Sequence, residues 1–206
     1  MKVAITGGIG SGKSYVCKLL QQRGINIYDC DQAAKRLIRT SPDIRRQLSM
    51  LIGPEAYLGE DGQGGWVLNK AVVAQFLLGS EANAHAIDDI VHPAVFHDFE
   101  TSGMQWLESA ILYESGMDKL VNRVIVVTAP QEVRIQRVMQ RDGISREKVL
   151  EWMSRQWSQD EIRQRADYEI INDGQADINE QIEQLLTTLD IFEITTYRNN
   201  DNKQQL

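Results

Sequence analysis

The sequence predicts an α/β fold, a three-layer sandwich on a five-stranded parallel sheet with a helical substrate-binding insert and a helical lid. Three observations predict it. Residues 7 to 14 read Gly7-Gly8-Ile9-Gly10-Ser11-Gly12-Lys13-Ser14, the pattern G-x-x-x-x-G-K-S that marks a P-loop NTPase-type core. Strand-like and helix-like segments alternate along the chain, as βαβ units require. Two longer helical segments, about 32–104 and 142–166, interrupt that alternation.

Each element has its own justification. Lys2-Val3-Ala4-Ile5-Thr6 is short and apolar, as a buried strand is. After the glycines, Val16, Leu19 and Leu20 share one helical face, and Gly24 can stop that helix. Ile25 to Tyr28 reads as a second strand ending at Asp29, and Leu107 to Leu112 as a third. Val124 to Val127 is the most plainly buried run, and Tyr168 to Ile171 is the fifth strand. Pro130, Ile135, Val138 and Met139 outline an amphipathic helix that Asp142-Gly143 ends, with Ser145 as the cap of the next. Ile178, Ile182, Leu185, Leu186 and Leu189 give a final amphipathic helix.

Between the second and third strands, residues 32–104 show helical patterns such as Ala71–Leu78, a glycine-rich turn from Gly59 to Gly65, and no strong strand. The domain reading is therefore a nucleotide-binding core of 1–31, 105–141 and 167–193, an acceptor-binding helical domain of 32–104, a lid of 142–166 and a polar, flexible tail of 194–206.

Composition narrows the function. A net charge of −7 argues against a general nucleic-acid binder, whose affinity rests on many Lys/Arg–phosphate contacts, but not against a nucleotide pocket. No apolar run is long enough to span a bilayer, and Val3–Ile5 leads straight into glycines without an h-region or cleavage site. Cys17 and Cys30 lack zinc-ligand spacing and read as reduced thiols of a cytoplasmic protein. Oligomeric state is not legible.

The loop carries the chemistry. Its glycines let consecutive N–H groups turn inward, and the helix that follows adds its positive end, so the segment forms a nest for phosphate oxygens. Lys13 reaches the β- and γ-phosphates, and the Ser14 hydroxyl is placed for Mg²⁺. Asp29 and Asp31 follow the second strand at the edge where parallel sheets bind ligands. Either can accept a proton from an attacking hydroxyl, bind Mg²⁺ through water, or cap the helix that begins there. Because Val124–Val127 ends in Thr128 rather than an aspartate, Asp31 gains weight as the metal-side acid. Arg134, Arg137 and Arg141 follow the fourth strand, and Arg155, Arg163 and Arg165 extend the basic run. Such a run is either a solvated helix face or a cover that neutralises a moving phosphoryl group, and Arg141 is the candidate for the second role. His92, before Pro93, and Glu114 are further candidates, with packing and capping as their ordinary alternatives. Trp106, Trp152 and Trp157 read as packing residues.

Taken together, these residues resemble the dephospho-coenzyme A kinase family. The opening Ile5 to Ser14, the spacing to Asp29-Cys30-Asp31, His92-Pro93, Asn122 to Val127, Gln140-Arg141-Asp142, Gln156, and Ala166-Asp167 through Gly174 are similar to that family's elements over about residues 1 to 190. Tyr15 stands where the family often has threonine, and Ala110 where a proline is usual. The resemblance implies ATP-dependent phosphorylation of the ribose 3′-hydroxyl of dephospho-CoA. It implies an ATP site of Gly8, Gly10, Ser11, Gly12, Lys13, Ser14, Tyr15, Arg141, Asn172 and Gly174, with the last two near the adenine. Asp31 would be the general base, Asp31, His92 and Glu114 would meet the acceptor, and Ser14, with Asp31 through water, would hold Mg²⁺. A kinase for another small hydroxyl acceptor is the nearest rival. A GTP or ATP switch is the more distant one, because Asn69-Lys70 is followed by Ala-Val and the Asn-Lys-x-Asp guanine reader is absent.

Overall fold

Val3–Thr6 forms β1 and all four residues are buried, as expected of a strand with neighbours on both sides. In this computed structural model, which describes residues 1–189, α1 (Lys13–Gln22), β2 (Ile27–Asp29), α2 (Cys30–Thr40) and α3 (Pro42–Ile52) follow. Next come β3 (Tyr57–Glu60), β4 (Trp66–Leu68), α4 (Lys70–Gly79), α5 (Glu81–Thr101) and β5 (Trp106–Glu108). The chain continues through β6 (Arg123–Thr128), α6 (Gln131–Asp142), α7 (Arg146–Met153), α8 (Gln159–Arg165), β7 (Tyr168–Ile171) and α9 (Ile178–Thr188). The α/β class and the five-stranded sheet are those the sequence predicts, with strand order β2-β5-β1-β6-β7. The tail expected at 194–206 lies outside the described residues. Among the described residues no helix is long and apolar enough to cross a membrane.

The chain divides into two compact units, Met1–Ala4 with Asn26–Asn122, and Ile5–Ile25 with the segment that starts at Arg123. In the first, β2 and β5 pair in parallel with Asp29 opposite Glu108. Ile44, Leu48, Ala56 and Tyr57 form a core on which Leu37, Ile38, Trp66 and Ile90 pack. Burial pushes the Tyr57 hydroxyl up to about 12, and that hydroxyl donates to the Ile38 carbonyl. In the second, β6 and β7 pair in parallel from Ile125 opposite Tyr168 to Thr128 opposite Ile171. Ile135, Val138 and Val149 make a core that also receives Ile9, Ile144, Trp152 and Met153.

Several local expectations need correcting. The insert does contain strands: β3 and β4 pair antiparallel around the glycine-rich turn. The Asp61 carboxylate organises that turn by accepting from the N–H groups of Gln63 and Gly65. The third strand stops at Glu108, because the Ser109 hydroxyl accepts from the Ile111 N–H and starts a run of turns that buries Leu112. The second strand starts at Ile27, since the Ile25 N–H still donates to Leu20 of the preceding helix. Ser145 caps α7 as expected, accepting from the Lys148 N–H.

Candidate active site

The phosphate-type loop runs from the end of β1 into α1 and is fitted closely to the elements around it. Gly7, Gly10 and Gly12 have φ of 153°, 79° and 88°. A Cβ on Gly7 would stand 2.4 Å from the Val127 carbonyl oxygen, and one on Gly10 would stand 2.5 Å from that of Arg134. At Gly12 it would lie 2.0 Å from the Asn172 side-chain nitrogen, so only glycine fits there. Side chains from distant parts of the chain hold the loop between these points. The Ile9 N–H donates to Gln156 at 2.9 Å, and the Ile9 carbonyl accepts from Arg134 Nε at 2.9 Å. The Ser11 carbonyl accepts from Asn172 Nδ2 at 2.9 Å, and Arg137 Nη2 donates to Asn172 Oδ1 at 3.2 Å.

This loop suits a polyphosphate. Gly12 is the N-cap of α1 and no side chain caps the helix, so its positive end is left to an anion. Ser11 Oγ is buried without a hydrogen-bond partner. Lys13 and Ser14 occupy the first turn of α1, while Tyr15 is exposed. Among the described residues no group of three or more His, Cys, Asp or Glu is arranged to hold a metal ion. The Ser14 hydroxyl in that first turn is the kind of donor that suits Mg²⁺, which commonly takes only one or two protein ligands and completes its shell with phosphate and water.

Asn172 has a structural task at the loop as well as the place the resemblance implies for it. It is buried, its amide straps Ser11 and meets Arg137, and its N–H donates to the Thr128 carbonyl. Gly174, at φ 90°, lies in the turn after β7 with open space around its Cα. Arg141 sits in the last turn of α6, where its Nε and Nη2 donate to the neighbouring Asp142 carboxylate and its side chain is 62% exposed. The Asp142 hydrogen bond raises the Arg141 pKa, and the same bond lowers that of Asp142. Arg134 and Arg137 are the arginines that reach the loop. The signal for them was the helix start at Pro130. On a helix rising 1.5 Å per residue, Arg134 lies about 10 Å nearer the strand end than Arg141.

In the other unit, the two aspartates after β2 divide the work. Asp29 is the N-cap of α2, its carboxylate accepting from the Gln32 N–H at 2.9 Å. Asp31 lies exposed in the first turn of α2 and makes no capping bond. His92 sits on α5, one residue before Pro93, 3.6 Å from Asp88 and stacked on Phe96. Glu114 follows β5 within the run of turns. Trp106 is buried, and Trp157 packs under the Arg165 guanidinium. Both cysteines are buried thiols.

Known proteins give this arrangement a context. A family model described as dephospho-CoA kinase matches residues 1–177. A dephospho-CoA kinase of Bacteroides fragilis is 37% identical over 200 residues, covering 92% of this chain and 93% of its own length. That of Chlorobaculum tepidum is 34% identical over 197 residues, covering 91% and 94%. Among solved structures, a Thermus thermophilus protein superposes with a TM-score of 0.74 at 31% identity, covering 92% of this chain and 95% of the other. A dephospho-CoA kinase from Campylobacter jejuni, at 17% identity and a TM-score of 0.59, shares the fold over 95% of this chain and 100% of its own.

Proposed function

The chain belongs to the dephospho-CoA kinase family, and from that premise we propose that Asp31 takes the acceptor proton while the P-loop, Lys13 and Arg141 hold the phosphates. The activity is ATP-dependent phosphorylation of the ribose 3′-hydroxyl of dephospho-CoA, giving CoA and ADP, the last step of coenzyme A synthesis.

In the proposed reaction the Asp31 carboxylate accepts the 3′-hydroxyl proton as that oxygen bonds to the γ-phosphorus. The bond from the γ-phosphorus to the bridging oxygen breaks, and ADP leaves with the electron pair. The loop N–H groups, Lys13 and Arg141 stabilise the charge that spreads over the phosphoryl oxygens. Gly8, Gly10, Ser11, Gly12, Ser14 and Tyr15 complete the ATP site, with Asn172 and Gly174 at its base end. Ser14, and Asp31 through water, would hold Mg²⁺, which would supply charge neutralisation at the phosphates. His92 and Glu114 meet the acceptor. Residues 1–31, 105–141 and 167–193 form the nucleotide core and 32–104 the acceptor domain. Residues 142–166 are a lid whose closure excludes water, the competing acceptor. The enzyme works in the cytoplasm, in keeping with its two thiols.

The observation that carries this reading is the loop, built for an anion at an uncapped helix start and closed to any residue but glycine at Gly12. Release of ADP measured over a panel of acceptors tests it. Turnover with dephospho-CoA is expected, and turnover only with another hydroxyl acceptor would overturn it. Asp31→Asn should keep ATP affinity and lose about a hundredfold in kcat, the usual worth of a positioned base. Near-normal turnover of that variant would leave Asp31 a mere first-turn charge.

A further inference from the structure

Arg134 is the one charged side chain among the described residues that the fold buries, at 8% exposure. Its Nε is satisfied by the Ile9 carbonyl, but Nη1 and Nη2 have no hydrogen-bond or ionic partner among the described residues. No carboxylate compensates the charge, and burial pulls its pKa below the usual arginine value. The terminal nitrogens are not sealed from solvent, so they can take an anion that enters from it.

The same residue lines a cleft of about 490 Å³ bounded by α6, α7 and the start of α8. Leu150, Met153 and Trp157 give that cleft apolar walls, and Ser154 adds a hydroxyl. Its volume is that of a small-molecule site, and a buried charge among apolar walls is how such sites fix one end of a ligand. No residue of the glycine loop lines it, although Arg134 also backs the loop at Gly8 and Ile9. Asp160 is the only carboxylate on its wall, and it works against a polyanion such as a triphosphate.

We propose that this cleft is a second binding site, for a small oxyanion carried on an apolar body, with the anionic end on Arg134 and the body against Leu150, Met153 and Trp157. The shared chemistry is that of a phosphate monoester or a carboxylate. The site shares Arg134 with the support of the loop at Ile9, but its walls include none of the residues of the proposed kinase reaction, Asp31 among them.

Calorimetric titration of the full-length protein, with the loop saturated by Mg²⁺ and a non-hydrolysable ATP analogue, tests the proposal. Phenyl phosphate and benzoate are the two probes, and they separate the two kinds of anion. Saturable binding of at least one is expected. Arg134→Gln, which keeps a donor for the Ile9 carbonyl but removes the charge, should weaken that binding by about tenfold or more. Ser154→Trp, which fills the cleft without touching Arg134, should abolish probe binding while the ATP analogue still binds. If neither probe binds wild-type protein saturably at millimolar concentration, the proposal is wrong. It is equally wrong if Ser154→Trp binds the probe as wild type does, and that arm decides the matter should Arg134→Gln fail to fold. Turnover of dephospho-CoA is measured separately, so failure of the cleft and failure of the kinase reading are distinguishable.

Discussion

The unit that carries the loop and the unit that carries Asp31, His92 and Glu114 hold their candidate residues by different means. The loop is tied by hydrogen bonds that cross most of the sequence, from Ile9 to Gln156 and from Ser11 to Asn172, and its glycines stand where a Cβ would strike neighbouring atoms. The acceptor candidates are placed by local structure: Asp31 in the first turn of α2, His92 one turn from Asp88 on the same helix, Glu114 in a run of turns. A geometry fixed by distant straps is already formed before ATP arrives, which is what electrostatic stabilisation of a transition state needs. Residues on local turns can shift with a lid or a substrate at little cost to the fold.

That contrast is broken most severely at Gly12. Gly12→Ala must hold φ near 88° and drive a methyl into Asn172, which two hydrogen bonds keep in place. Strain of this kind costs on the order of 3 kcal/mol, so ATP affinity should fall by about a hundredfold. Binding of a fluorescent ATP analogue measures it, and an unchanged affinity would mean that the loop adapts rather than being fixed. The arginines sharpen the contrast at the next level. If Arg141 leaves Asp142 for the phosphates, Arg141→Ala lowers kcat by between about tenfold and a hundredfold. A silent Arg141→Ala beside a damaging Arg137→Ala would assign the phosphate-facing role to Arg137, which already reaches the loop.

What was legible in the sequence follows the same division. The loop could be read because its glycines have a physical reason at fixed spacing, and β1 and α1 could be read because their apolar periods differ. Arg134 and Arg137 were not separable from Arg141, since helical period places all three on one side and only tertiary packing decides which end meets the loop. The resemblance places Asn172 near the adenine, but nothing in its spacing foretells that its side chain straps Ser11 and meets Arg137. The β3–β4 hairpin is not legible because its strands are four and three residues long and its turn is ordered by a single carboxylate, Asp61. On the acceptor side, the capping competition between Asp29 and Asp31 was visible, but its outcome needed the observed bond to Gln32.

Asn172→Ala tests the straps more gently than Gly12→Ala. It removes the amide bond to the Ser11 carbonyl and leaves that carbonyl and Arg137 to find other partners. A loss of about 1–3 kcal/mol in stability and about tenfold in ATP affinity is expected. Stability and affinity are read from a denaturant melt and a binding titration on the same sample. Loss of stability with unaltered affinity would make the strap a folding element rather than a part of the nucleotide site.

The smallest expected effect belongs to the unit of Asp31 and His92 and depends on pH. Tyr28 donates to the Asp98 carboxylate at 2.6 Å, and Arg36 pairs with the same oxygen. Burial works to raise the Asp98 pKa, but the hydrogen bonds from Tyr28 and Arg36 outweigh it and hold the group below its ordinary 3.8. Burial first, and the bond to Asp98 second, push the Tyr28 hydroxyl far up, so it stays protonated and remains the donor. A carboxylate whose folded pKa is depressed stabilises the protein above its unfolded value and loses that contribution as pH falls through the folded one. The network should therefore contribute fully above about pH 4 and fade below it, with Asp98→Asn flattening that acid limb. Because Arg36 is half exposed and screened by solvent, the difference in melting temperature between wild type and variant at neutral pH should be only about 2 °C. Melts between pH 3 and 7 read it, using those two limits as about the ends of the titration. A wild-type acid limb that persists unchanged in Asp98→Asn would move the acid sensitivity to another carboxylate.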